Sequence, residues 1–143
     1  MSASTKLSTS VKALCFLALD SNNPKTSTEI AAEIGVNASK LRKLLSMMSK
    51  TGIVTSSKGT LGGFCLNKSP EEINLQEIYC SVEDQKAFHL DVQKNVGDHL
   101  STPIMINNYI LDLFAEIQVD IEDKMRKINL QSVIDKLKNL THT

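Results

Sequence analysis

Tryptophan is absent from this chain and aromatic residues make up only 4% of it. Leucine, isoleucine and valine must therefore fill the interior, which leans the chain towards helices. Cysteine is scarce: Cys15, Cys65 and Cys80 stand far apart with no C-x-x-C spacing. An odd, scattered set does not read as a disulfide framework and points to a reducing compartment. Long apolar runs are missing too. The stretch from Val11 to Leu19 is short, carries Lys12 and has no small-residue cleavage site behind it, unlike a signal peptide. No segment nears the ~18 consecutive apolar residues of a membrane span, so the cytoplasm is the expected location and no membrane partner is expected. No Ser/His/Asp set, metal motif or nucleotide fingerprint stands out, and the chain reads as a non-enzyme.

The net charge is zero, but that average conceals a division. Up to Pro70 nine basic residues face three acidic ones, a surplus of six positive charges. From Glu71 onward seven basic residues face thirteen acidic ones, a surplus of six negative charges. A basic front half suits a polyanionic partner, and a chain of 143 residues fits one small domain plus an oligomerisation element.

The periodicity follows the same division. Lys6 to Leu19 sets Leu7, Val11, Leu14, Leu17 and Ala18 at helical spacing. Thr26-Ser-Thr-Glu29 fits a capping box that opens a second helix over about Ser27 to Ile34. Gly35 suits a left-handed helix end, Val36 can plug the angle between helices, and Asn37 can cap a third helix carrying Leu41, Leu44, Leu45 and Met48. Two short helices joined by such a turn predict a helix-turn-helix. Ile53-Val54-Thr55-Ser56 and Phe64-Cys65-Leu66 then read as strands around the glycine-rich turn Lys58 to Gly63, the sequence form of a wing. That turn lacks Walker spacing and lies between strands, which disfavours a phosphate-cradling loop.

Asn74-Leu-Gln-Glu77 opens a further helix through Ile78 and Val82. Ser101-Thr102-Pro103 begins a long one, with an apolar stripe at Ile106, Ile110, Leu113, Ile117 and Ile121 that continues for some seven turns, about 35 Å. A helix of that length outruns the core of so small a domain, so its stripe is expected to bury itself against a second copy. Asn129 caps a last helix with Leu130, Val133, Ile134, Leu137 and Leu140 on one side. The expected fold is mainly α with a small β wing: a winged helix-turn-helix DNA-binding domain over residues 1–83, a connector over 84–100, and a helical dimerisation region over 101–143.

From Val11 to Glu83 the chain resembles the Rrf2 family of bacterial winged-helix regulators. The resemblance rests on Ala13-Leu14-x-x-Leu17-Ala18, Thr28-Glu29-Ile30-Ala31, Leu41-Arg42-x-Leu44-Leu45 and Gly52-Ile53-Val54, in order. Lys58-Gly59-x-x-Gly62-Gly63-Phe64-x-Leu66 and Ile78-Tyr79-x-x-Val82-Glu83 complete it. It implies a sequence-specific DNA-binding transcriptional regulator, a repressor, acting as a homodimer on double-stranded DNA. Members that bind an iron–sulfur cluster carry three cysteines between the wing and the long helix. Here that connector holds His89, Asp91, Asp98 and His99 and no cysteine, so the likeness is to the cluster-free branch and no cofactor is expected. The wing also has Thr60-Leu61 where the family has Pro-Gly, and a stiffer tip is expected.

The expected DNA contacts are Asn37, Ser39, Lys40, Arg42 and Lys43 in the major groove, Ser27 and Thr28 on phosphates, and Lys58 and Thr60 at the wing. Arg42 suits either a guanine edge or a phosphate. Cys65, in a wing strand near Lys58 and Lys68, is the candidate for a thiol redox switch, whereas Cys15 and Cys80 read as packing residues. The four connector histidines and aspartates match no strong metal motif and read as solvated polar residues. A winged-helix module that docks proteins instead of DNA is the alternative from another class.

Overall fold

The computed structural model describes residues 3–83 and 101–141. Three helices come first: α1 (Ala3–Leu19), α2 (Ser27–Ile34) and α3 (Ala38–Lys50). The Thr26 hydroxyl caps α2, accepting from the Glu29 N–H at 3.1 Å and donating to the Glu29 carboxylate at 3.2 Å. Gly35 ends the helix with φ 72°, a conformation that costs a residue bearing a Cβ. Asn37 then caps α3, its side-chain oxygen accepting from the Lys40 N–H at 3.0 Å. Leu41, Leu44, Leu45 and Met48 bury one side of α3, where they meet Ala13, Leu14 and Leu17 of α1 in a common core.

Strands β1 (Val54–Ser57) and β2 (Gly63–Leu66) pair antiparallel, Val54 opposite Leu66 and Ser57 opposite Gly63. The other edge of β2 is occupied as well. The Lys25 N–H donates to the Phe64 carbonyl at 3.0 Å and the Phe64 N–H to the Lys25 carbonyl at 2.7 Å, clipping the wing to the loop before α2. This close approach requires Gly63, whose φ is 149° and where a Cβ would stand 2.6 Å from the Lys25 carbonyl carbon.

A short turn of 3-10 helix at Pro70–Glu72 leads to α4 (Leu75–Val82), capped by Asn74, whose side chain accepts from the Glu77 N–H at 2.9 Å. The 25-residue α5 (Thr102–Arg126) and α6 (Leu130–Thr141) follow the connector. Two backbone bonds stitch the α5–α6 junction to the start of α4: Leu75 N–H to the Ile128 carbonyl at 2.9 Å, and Leu130 N–H to the Ile73 carbonyl at 2.7 Å. α6 thereby returns to the N-terminal core, where Leu130 and Ile134 are buried. Leu137 and Leu140, on the same apolar stripe, stay exposed. The stripe of α6 is longer than the surface it packs on.

α5 divides its apolar residues. Ile104, Leu111, Phe114 and Met125 are half-buried, as are Ile110, Ile117 and Ile121 of the expected stripe. Ile106 and Leu113 are exposed, together with Met105, Tyr109 and Val119.

Gly63→Ala is expected to cost about 3 kcal/mol in urea unfolding, because strain and a backbone clash combine. Gly35→Ala has open space around its Cβ and should cost only about 1–2 kcal/mol for its left-handed backbone. Equal losses would mean that the wing is not held against Lys25.

Candidate nucleic-acid interface

Three of the nine cations before Pro70 are committed to carboxylates. Lys6 reaches Glu83 at 3.2 Å, Lys25 reaches Asp20 at 2.6 Å and Lys68 reaches Glu77 at 3.0 Å. The hydrogen bond to Asp20 raises the Lys25 pKa. The remaining six, Lys12, Lys40, Arg42, Lys43, Lys50 and Lys58, form no ion pair among the described residues. Four of them lie on α3, which contains no acidic residue. Its exposed side runs through Ser39, Lys40, Arg42, Lys43, Ser46 and Lys50. The pattern of exposure extends the expected contact surface by about two turns: Ser46 and Lys50 continue the spacing of Ser39, Arg42 and Lys43, a periodicity already present in the sequence.

The structure separates the other expected contacts. Thr28, Asn37, Lys58 and Thr60 are exposed. Asn37 uses its side-chain oxygen for the α3 cap and keeps its amide N–H groups for other partners. Ser27, by contrast, is buried at 6% exposure, and its hydroxyl accepts from Arg42 Nε at 3.2 Å. Its side chain therefore faces the α2–α3 angle and not the open surface. That bond joins residues fifteen apart and has no local signal. Leu61, at the wing tip, is 90% exposed.

The cysteines occupy three separate elements. Cys15 is buried in α1, Cys65 half-buried in β2 and Cys80 exposed on α4. Cys80 is expected to pack; instead Gln76, Ile78, Tyr79 and Val82 turn inward while Cys80 is exposed, its sulfur accepting from the Gln76 side-chain amide at 3.2 Å. Lys68, expected beside Cys65, is held by Glu77. Thiolates so dispersed do not fit an iron–sulfur cluster, which needs them on adjacent irons. His89, Asp91, Asp98 and His99 lie outside the described residues, among which no group of three His, Cys, Asp or Glu side chains is arranged to hold a metal ion.

A helix-turn-helix, a clipped two-stranded wing and a long following helix invite comparison with known proteins. The profile of the Rrf2 family, described as iron-dependent transcriptional regulator, matches residues 3–136. The chain belongs to the Rrf2 family. YwnA of Bacillus subtilis strain 168 is 30% identical over 126 residues, covering 87% of this chain and 93% of that protein. The HTH-type transcriptional regulator NsrR of Bacillus licheniformis is 33% identical over 128 residues, covering 87% and 86%. Among solved structures, T. potens IscR superposes with a TM-score of 0.71 at 21% identity, over 96% of this chain and 88% of that one. CymR, the global cysteine regulator of B. subtilis, gives 0.68 at 20% identity over 92% and 95%. This Rrf2 protein is thus a DNA-binding transcriptional regulator. No helix among its described residues is long and apolar enough to cross a membrane.

Burial raises the Cys15 thiol pKa above its ordinary value. The folded Rrf2 protein holds that proton more tightly than the unfolded chain. Its contribution to stability is therefore full below the ordinary thiol pKa and declines as pH climbs past it. An aromatic disulfide reagent is expected to label Cys80 first, with Cys15 slower by on the order of a hundredfold or more because it must wait for opening. Labelling of Cys15 as fast as Cys80 in the folded protein would overturn this order.

Proposed function

We propose that this regulator acts as a homodimeric repressor, without catalysis, that reads a pseudo-palindromic operator by placing α3 in successive major grooves. The observation that carries this reading is the exposed side of α3: cations and hydroxyls with no acidic residue, held outward by a buried apolar side. Arg42 suits a guanine edge, Lys40 and Lys43 suit phosphates, and Asn37 and Ser39 lie at the helix N-terminus that enters the groove first. Thr28 suits a phosphate at the start of α2, and Lys58 and Thr60 suit the backbone or minor groove beside the wing. In this reading residues 1–83 form the DNA-binding unit, and occupancy of the operator is what represses.

Dimerisation is supported by two apolar surfaces that no other described residue covers. One is the outer side of α5, with Ile106, Tyr109 and Leu113 exposed and Ile110, Ile117 and Ile121 beside them. The other is a groove of about 660 Å³ between α1 and α6, lined by Leu7, Val11, Phe16, Leu19, Val133 and Leu137. A second copy of the chain supplies the complement to each. Lys12 on the groove wall suits the Glu116 and Asp120 carboxylates that flank the α5 stripe.

Gel shifts on a duplex chosen by the protein from a random library test the DNA reading. Affinity is expected to fall steeply with salt, and Arg42→Ala to cost about 1–3 kcal/mol on that duplex. Binding indifferent to both salt and Arg42 would sink the proposal. Leu113→Glu and Val11→Glu should each give monomers in sedimentation, with operator affinity lowered about a hundredfold through lost bivalency. A Val11→Glu protein that stayed dimeric would remove the groove from the interface.

A further inference from the structure

We propose that Ser27 is a positioning residue that presets Arg42 for reading a guanine, so that sequence preference is set by a bond between α2 and α3. This rests on the reading of α3 as the DNA-reading helix. Three observations carry it. The α2 cap is supplied by Thr26, so the Ser27 hydroxyl is not needed by the helix backbone. Ser27 is buried, hence fixed in place, while Arg42 is exposed; the bond from Nε at 3.2 Å ties a mobile side chain to a rigid one. Arg42 forms no ion pair among the described residues, so no carboxylate there competes for its terminal Nη donors.

The chemistry of the guanidinium gives the arrangement its meaning. The group is planar, and a guanine O6/N7 pair accepts two parallel N–H bonds only when that plane lies along the base edge. With Nε engaged, the plane is set and the Nη1/Nη2 edge is the one left to face DNA. A carboxylate at position 27 would hold the guanidinium more firmly but cancel its charge; a hydroxyl orients without neutralising. Phosphate attraction needs no fixed plane, and Lys40, Lys43 and Lys50 supply it from the same helix. Affinity for any DNA and preference for one sequence thus come from different side chains.

The test compares the duplex selected by the wild-type protein with mixed-sequence DNA. Should the wild type select no duplex and bind mixed-sequence DNA without salt dependence, the DNA-reading interface itself fails, and this inference with it. Given a selected duplex, Ser27→Ala is expected to lower preference for it about three- to tenfold, by loss of preorganisation, while binding to mixed-sequence DNA stays unchanged. Ser27→Thr, which restores a hydroxyl, should recover part of the preference. The double variant with Arg42→Ala should lose no more than Arg42→Ala alone, since Ser27 acts only through Arg42. In the wild type, 7-deazaguanine at one position of each half-site should be penalised, and the penalty should shrink in Ser27→Ala. Undiminished preference in Ser27→Ala, or losses that simply add, overturns the assignment. A measurement on the free wild-type protein is independent of any variant's folding. The chain has only two arginines, and the Nε–H of Arg42 should exchange with solvent more slowly than that of Arg126. Equal exchange also overturns it.

Discussion

Burying Leu41, Leu44, Leu45 and Met48 under α1 decides where every cation on α3 points. A helix has one rotation about its axis, and four buried apolar side chains consume it. Lys40, Arg42, Lys43 and Lys50 are left on the outside together, where like charges tolerate one another only because water screens them. The apolar side thus determines the polar one and leaves a surface whose cations repel one another. Weakening this packing would loosen the orientation of α3.

Two backbone pairings far apart in sequence keep that helix in register with the rest. Lys25 with Phe64 ties the wing to the helix-turn-helix, and the Ile73, Leu75, Ile128 and Leu130 bonds tie the last two helices to α4. Both use main-chain groups, so side-chain substitution reaches them only indirectly, through residues such as Gly63 that permit close approach. The wing and α5 are therefore coupled to the same core from opposite ends of the chain.

What was legible in the sequence is what near neighbours decide. Thr26 with Glu29, Gly35, Asn37 and Asn74 each act within three or four residues, and each sits where its local chemistry places it. The apolar spacing of α3 and the strand–turn–strand of the wing are of the same kind. Illegible were features settled by partners distant in sequence. Ser27 looked like an open hydroxyl at a helix start, and only the approach of Arg42 turns it into an internal bond. Cys80 shared the helical pattern of α4 yet faces out, because burial on that helix is set by what packs against it. Leu137 and Leu140 matched their stripe, but the core ends before they do. Family membership was legible because it depends on many such local signals in one order.

The division of charge along the chain has a further consequence. A molecule with no net charge exerts almost no monopole force on a distant duplex, yet α3 sets four cations and no carboxylate on one exposed side, so the charge is unevenly spread. Such a body feels torque before it feels pull. Within about a Debye length, roughly 8 Å at physiological ionic strength, the field of a polyanion exerts a torque that turns such a cationic side towards it. Encounters are then sorted by orientation instead of by frequency, and added salt slows productive docking by shortening the distance over which the molecule can turn.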